Sequence, residues 1–386
     1  MKYNKQTYDY FIGLINAFVN DKTPAPKPEL VSWSDILSLA IFHKVEEIIF
    51  KSVDQLKDRP SMEISRRFFN SRNHNKLADI MQIEEGKVIV DNFRKNEIDV
   101  IALKGWVLKG LYPKPEYRQM GDIDYLVRAK DIDKCIPIMK LLGYEAEDVG
   151  LDASHDEYGK KPYMKVEIHR RLLPPTEENH WYTDDIWDRL VEDEPHIYHM
   201  TKEDFYLYHL LHFEKHFSMG GSGVRSILDH YYILKHWKDD IDWEYVDSII
   251  EKMNYVYFQS MTNQLAIKWF GGEEFIGDRL DENILSEDDL FDAGIFILDS
   301  GAFGTEENYQ KWYFNKLKKE NNVKSKKGFI FRRIFMERSR MENIYPVLKK
   351  HGWLLPIMWV RRIVYVLLHR RDRIKSEYKS IKDMEE

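Results

Sequence analysis

The hydrophobic pattern of the chain changes at residue 98 from helical spacing to short runs typical of β-strands. These runs predict strands over 98–103, 122–127 and 163–169 and near Tyr144, with helices over 106–112 and 131–142 between them. Such an alternation predicts a small mixed sheet with helices packed against it. The flanking residues keep helical spacing, including one long helix over 62–96. We therefore expect an α+β fold whose mixed-sheet core is flanked by N-terminal and C-terminal helical regions.

The same changes of pattern predict four regions along the chain. They are an N-terminal helical region over 1–96, an α/β core over 97–175, a C-terminal helical domain over 176–300 and a basic helical extension over 301–386.

Two carboxylates, Asp122 and Asp124, are separated by one apolar residue inside a predicted strand. Alternate side chains of a strand share a face, so we expect both to point the same way. Glu167 occupies a second β-type alternation about forty residues later. Like charges placed together repel, and a divalent cation relieves that repulsion. The alternative is an edge strand whose acidic face serves only solubility.

Composition excludes several other classes of protein. The hydrophobic fraction of 43% and the charged fraction of 32% are typical of a globular protein, and the net charge of −7 argues against stable DNA binding. The single cysteine, Cys135, excludes an intrachain disulfide and a cysteine zinc cluster. The first residues lack the apolar run of a signal peptide, and no stretch of about twenty apolar residues occurs. We expect a cytoplasmic location.

Several motifs together resemble the polymerase-β-type nucleotidyltransferase superfamily, and in particular its uncharacterised bacterial branch. They are Leu103-Lys-Gly105, Arg118 ahead of Gly121-Asp-Ile-Asp-Tyr-Leu-Val127, Leu142-Gly-Tyr144 and Val166-Glu-Ile-His169. The resemblance covers residues 96 to 173 best. Two positions differ from the usual pattern, since Gly105 is followed by Trp106 rather than Ser or Gly, and the third carboxylate is Glu.

The resemblance implies an enzyme that moves an NMP group from a nucleoside triphosphate to an acceptor hydroxyl and releases pyrophosphate. Asp122, Asp124 and Glu167 would be catalytic and would bind Mg²⁺, with Mn²⁺ as the alternative ion. Lys104 and Gly105 would lie beside the nucleotide phosphates. The acceptor is an unknown small molecule, such as a sugar, or a protein.

Arg118, His169 and Asp229 are further candidates for nucleotide binding. A guanidinium in the loop before the metal strand suits a phosphate clamp, and a salt bridge to a nearby carboxylate is the alternative. His169 shares the face of Glu167 and would contact a substrate or hydrogen-bond a neighbour. The segment from Arg225 to Asp229 resembles the helical region that follows the catalytic domain in the family, although these two residues are also spaced to pair with each other.

His209, His212 and His216 fall on one face of a predicted helix. We interpret them as a histidine-lined face turned toward the active cleft, with a zinc site as the alternative. The second Asp-x-Asp motif, at Asp131 and Asp133, opens a predicted helix and is interpreted as structural.

The C-terminal region combines a basic stretch over 316–340 with an aromatic-rich helix from Trp353. That helix is expected to dock on the helical body, and weak contact with a membrane surface is the alternative. Two rival functions remain. One is a catalytically inactive nucleotide-binding or regulatory module, and the other is a toxin-like enzyme that nucleotidylates a protein or RNA.

Overall fold

A computed structural model describes residues 1–148, 155–173, 179–279, 284–310 and 347–369, together with positions 328, 335, 336, 338, 341 and 345. The chain divides into two compact units. The first contains Met1–Glu214 and Gly223–Ala302, and the second contains Lys215–Ser222 and Phe303–Glu386.

The first unit begins with helices, as predicted. They are α1 (Lys5–Val19), α2 (Trp33–His43), α3 (Glu46–Asp54) and α4 (Met62–Lys95). Asn4 and Ser61 accept hydrogen bonds from backbone N–H groups in the first turns of α1 and α4, which satisfies donors that a helix start leaves free. The long helix predicted over 62–96 is confirmed.

Among the described residues, seven strands form one mixed sheet in the order β3-β4-β5-β2-β1-β7-β6. The strands are β1 (Val100–Ala102), β2 (Ile123–Val127), β3 (Glu145–Asp148), β4 (His155–Lys160), β5 (Met164–His169), β6 (Val191–Glu194) and β7 (Ile197–His199). Strand β2 runs parallel to β5 and antiparallel to β1, and β1 runs parallel to β7. The α+β fold with a mixed sheet and flanking helices is confirmed.

One face of the sheet carries the apolar core of this region. Ile123, Tyr125 and Val127 of β2 pack there with Phe93 of α4 and Met139 of α6 (Ile132–Leu141). Because strand side chains alternate, this burial leaves the residues at positions 122 and 124 for the opposite face. The short helix α5 (Gly105–Leu108) follows β1 and leads toward the loop before β2.

The hairpin formed by β6 and β7 was not predicted. Its first strand, Val191-Glu-Asp-Glu194, is exposed throughout, so it has no alternation of apolar and polar residues. It lies within residues 176–300, which were expected to be helical, yet β7 pairs with β1 and extends the sheet.

The remaining helices described before residue 302 follow this hairpin or precede it closely. They are α7 (His180–Thr183), α8 (Lys202–Met219), α9 (Val224–Trp237), α10 (Trp243–Lys252), α11 (Val256–Phe270), α12 (Glu273–Ile276) and α13 (Glu287–Ser300). The predicted break between two helices at Gly220–Gly223 is confirmed, since α8 ends just before it and α9 begins just after it.

The second unit contains α14 (Val347–Lys350) and α15 (Leu355–His369). The indole N–H of Trp359 in α15 donates to the carbonyl oxygen of Met336 at 2.9 Å, and its ring packs edge-on against Phe335. Membrane-surface contact by this helix stays a prediction. Within the described residues, no helix has the length and apolar character needed to cross a membrane. The basic stretch over 316–340 falls mostly outside the described residues.

Candidate active site

The two neighbouring parallel strands β2 and β5 bring three carboxylates together. Asp124 lies directly opposite Glu167 in the register of the two strands, and Asp122 immediately precedes β2. Carboxylate oxygens of Asp122, Asp124 and Glu167 lie within 4.8 Å of one another. The geometry agrees with the expectation that Asp122 and Asp124 point the same way and with Glu167 as a third carboxylate. The catalytic roles of all three stay predictions.

The alternative interpretation of the Asp-x-Asp motif, an exposed edge strand, is wrong. Strand β2 lies in the interior of the sheet between β5 and β1, and all five of its residues are buried. Asp124 is only 4% exposed. Burying a carboxylate is unfavourable unless it is paired, so this placement calls for compensating positive charge.

The pKa values of Asp122 and Asp124 indicate how well neighbouring groups compensate the negative charge of each carboxylate. Burial, the neighbouring Asp124 and the nearby Glu167 raise the pKa of Asp122 to about 6. Burial opposes ionisation of Asp124 too, but the Lys104 ammonium and the His169 imidazole hold the pKa of Asp124 well below its usual range. The positive groups within the protein thus stabilise the charge on Asp124 and leave that on Asp122 poorly compensated.

Lys104 and His169 both contact the same oxygen atom of Asp124. Lys104 Nζ lies 3.1 Å and His169 Nε2 lies 3.0 Å from Asp124 Oδ1. His169 Nε2 is also 3.3 Å from Glu167 Oε2, and these two carboxylates raise the pKa of His169 despite its burial. Of the alternatives for His169, the structure therefore shows hydrogen bonding to its neighbours.

The turn after β1 places Lys104 beside the carboxylates and Gly105 against the loop before β2. Lys104 has a φ of +40°, which is uncommon for a residue with a side chain. A Cβ atom on Gly105 would lie 2.6 Å from Met120 Sδ, so glycine permits the loop before β2 to pack closely here. The indole of Trp106 packs against Gly86 of α4, where a Cβ atom would approach it to 2.5 Å. The difference from the usual Gly-Ser or Gly-Gly pair is thus accommodated by a glycine on another helix.

The other two candidates for nucleotide binding, Arg118 and Asp229, form a buried ion pair. Arg118 Nε and Nη2 donate to the two oxygens of Asp229 at 2.7 and 2.8 Å, and the Tyr112 hydroxyl donates to Asp229 at 2.7 Å. The salt-bridge alternative for Arg118 is therefore what the structure shows. The alternative that Asp229 pairs mainly with Arg225 is wrong, because Asp229 bonds to Arg118 and Arg225 Nη1 donates to the carbonyl oxygen of Gln119 at 2.7 Å.

Comparison with known protein families shows which family the chain belongs to. The family described as uncharacterised nucleotidyltransferase matches residues 29–271, more than half of the chain. The chain belongs to this family. The match includes α4, the whole sheet and helices α8 to α11, so family membership supports nucleotidyl transfer as the general activity. No curated protein gives a significant match.

Helix α8 contributes a buried tyrosine that is close enough to the carboxylates for their charges to act on it. Tyr208 is 1% exposed, and its pKa is raised well above the usual value by burial and by Asp124, Glu167 and Asp122. Its hydroxyl has no hydrogen-bond partner among the described residues. Sequence reasoning did not single out Tyr208, because a tyrosine at helical spacing is far more often part of the core.

His209, the first member of the predicted histidine face, is buried and stacks on His230 with 5.6 Å between ring centroids. Burial lowers the pKa of His209 to about 4, so this imidazole is neutral at pH 7. Two groups of side chains within the described residues could hold a metal ion, and neither contains a histidine of this face. The zinc alternative for His209, His212 and His216 therefore has no support in the geometry.

The second Asp-x-Asp motif has the structural position expected of it. Asp131 is buried at the N-terminus of α6 and pairs with Lys134 at 2.7 Å, and Asp133 is exposed in the first turn. Carboxylates at this end of a helix are favoured by the helix dipole.

Proposed function

We propose that this nucleotidyltransferase moves an NMP group from a nucleoside triphosphate to an acceptor hydroxyl, with Mg²⁺ held by Asp122, Asp124 and Glu167. The single observation that carries the proposal is that their carboxylate oxygens lie within 4.8 Å of one another, at the start of β2 and on the adjacent parallel strand β5. All three donors are hard oxygen ligands of the kind that Mg²⁺ prefers, with Mn²⁺ as a second choice.

Two properties of the protein fit a cation and a phosphate at this place. The pKa of Asp122, raised to about 6 by burial and by its acidic neighbours, indicates negative charge that a cation would offset. The buried hydroxyl of Tyr208, on which the charges of the three carboxylates act, lacks a partner among the described residues, which suits a site that receives a polar ligand. When bound there, Mg²⁺ would stabilise both the attacking and the leaving oxygens of the displacement.

The chain's own residues would bind and orient the substrates. Lys104, whose ammonium lies 3.1 Å from Asp124, is placed to transfer its contact to a phosphate oxygen once Asp124 engages the cation. A carboxylate of the cluster would accept the proton of the acceptor hydroxyl as it attacks the α-phosphorus. The bond from the α-phosphorus to the bridging oxygen then breaks, and pyrophosphate leaves.

Arg118 and Asp229 are proposed to act as a positioning pair rather than through direct contact with a phosphate. Their bidentate contact occupies both oxygens of Asp229 and two donors of Arg118. Such a pair fixes the loop before β2 against α9 and so holds Asp122 in place.

Calorimetric titration with non-hydrolysable nucleoside triphosphate analogues, with and without Mg²⁺, tests the proposal. We compare the native protein with Asp122→Asn/Asp124→Asn. The matched control is Asp131→Asn/Asp133→Asn, which makes the same substitutions and the same charge change in the second Asp-Ile-Asp motif.

The expected result is Mg²⁺-dependent binding that is lost in the first double variant and retained in the control. Tight binding that is indifferent to the metal and to the substitutions would instead identify a catalytically inactive nucleotide-binding module. Absence of binding for every nucleotide would refute the proposed function.

A further inference from the structure

A second group of metal-ligating side chains lies on the same sheet, one strand beyond the carboxylates. His155 of β4 is directly opposite His169 of β5, and Glu157 is directly opposite Glu167. Because residues two apart on a strand share a face, these four side chains form a square on one side of the two strands. The sequence spells it as His-x-Glu at 155–157 and Glu-x-His at 167–169.

Three of these side chains, His155, Glu167 and His169, place ligand atoms within 4.8 Å of one another, close enough to reach one metal ion. His155 Nε2 lies 3.3 Å from Glu157 Oε1 and 3.7 Å from Glu167 Oε2, and His169 Nε2 lies 3.3 Å from Glu167 Oε2. Ligand atoms about 2.0–2.1 Å from a zinc ion at tetrahedral angles are about 3.3–3.4 Å apart. The two imidazole rings lie with their centroids 4.9 Å apart, so both present nitrogen atoms to the same space.

The chemistry of the donors distinguishes this group from the neighbouring one. Asp122, Asp124 and Glu167 offer only oxygen, whereas His155 and His169 offer imidazole nitrogen. Imidazole favours transition ions such as Zn²⁺ over Mg²⁺. We propose that His155, Glu167 and His169 form a three-ligand binding site for a divalent transition-metal ion, with Zn²⁺ as the preferred ion and the fourth position open to water.

This proposal concerns a site beyond the one used for nucleotide transfer, although the two share Glu167. Asp122 belongs to the oxygen cluster alone, and His155 belongs to the mixed cluster alone. A substitution of Asp122 therefore removes a ligand from the oxygen cluster only, and a substitution of His155 removes one from the mixed cluster only. Occupancy of the mixed cluster would also engage His169, which otherwise contacts Asp124, and so would change the charge around the carboxylates.

The test uses the full-length protein after removal of metal with a chelator. Zn²⁺ affinity is measured by competition with a chromophoric chelator for the native protein, His155→Gln and Asp122→Asn. His199→Gln is the matched control, because His199 also contacts a carboxylate, Asp193, from a strand of the same sheet. Visible absorption of the Co²⁺-loaded native protein reports the coordination geometry independently of any variant.

We expect one Zn²⁺ per chain, a loss of affinity on the order of 100-fold in His155→Gln, and little change in the other two variants. The Co²⁺ spectrum should show the intense absorption of tetrahedral coordination. Unchanged affinity in His155→Gln, an equal loss in Asp122→Asn, or a weak octahedral Co²⁺ spectrum would each overturn the proposal.

Discussion

Asp229→Asn provides a quantitative test of the buried ion pair. The substitution keeps the shape of the side chain but removes the charge that Arg118 contacts through two hydrogen bonds. Arg118 and Asp229 are 6% and 4% exposed, so solvent cannot replace the lost partner. Removing one member of a buried pair typically costs about 3–5 kcal/mol, and we expect a decrease of that size in the free energy of unfolding.

A second cation near the pair, Arg225, means that losing Asp229 and losing Arg118 should differ in their effect on stability. Arg225 lies close enough that its positive charge contributes to the low pKa of Asp229. Without Asp229, Arg118 and Arg225 still repel each other and lose the carboxylate that acts on both, whereas without Arg118 the carboxylate of Asp229 still has Arg225 nearby. Arg118→Met should therefore destabilise the protein less than Asp229→Asn does.

Urea unfolding followed by far-ultraviolet circular dichroism measures these differences. Glu84→Gln is the control, because Glu84 forms an exposed ion pair with Lys87 on one helix at 2.8 Å. This substitution should lower the free energy of unfolding by less than about 1 kcal/mol. A loss for Asp229→Asn no larger than that of the control would refute the reasoning. A greater loss for Arg118→Met than for Asp229→Asn would contradict the assigned role of Arg225.

Three further predictions concern other residues of the same unit. Gly105→Ala should lower the free energy of unfolding by about 1–3 kcal/mol, because its Cβ atom would lie 2.6 Å from Met120 Sδ; denaturant titration measures this, and no change would contradict the close packing. Asp122→Asn should raise the melting temperature of the metal-free protein at pH 8, with a smaller gain at pH 5. The pKa of Asp122, raised to about 6, means that the native state loses stability as the pH rises through that value. His43→Gln should make stability decline less steeply between pH 6.5 and pH 4, because burial lowers the pKa of His43 to about 4 and protonation therefore favours the unfolded state. An unchanged slope would be the opposing result.

Local pattern was enough to predict the elements that hold the carboxylates. The alternation in β2 and β5 reflects burial of one face, and the spacing of α4 reflects packing of Phe93 against the sheet. Both signals arise within a few residues of the chain. They predicted that Asp122 and Asp124 share one face and that Glu167 lies on a second strand. That the three carboxylates form one group was implied by the resemblance to the nucleotidyltransferase superfamily.

Contacts between distant parts of the chain were not accessible in this way. Arg118 and Asp229 are 111 residues apart in the sequence. From the sequence alone, the guanidinium of Arg118 could bind a phosphate as readily as it could pair with a carboxylate. No local pattern marks His155 as a strand residue, because β4 contains charged and glycine residues in place of an apolar alternation. Its opposition to His169 depends on the antiparallel register of β4 and β5, which no local pattern specifies.

Because β7 pairs with β1, the position at which a shortened version of this protein ends decides whether the sheet stays intact. A fragment that ended at residue 175, the predicted boundary of the core, would lose β6 and β7 and leave one side of β1 with unpaired backbone N–H and C=O groups. An exposed apolar strand such as Val100–Ala102 invites pairing with another chain. Truncated proteins for crystallisation or hydrogen-exchange experiments should therefore extend at least through His199. Shorter fragments should aggregate.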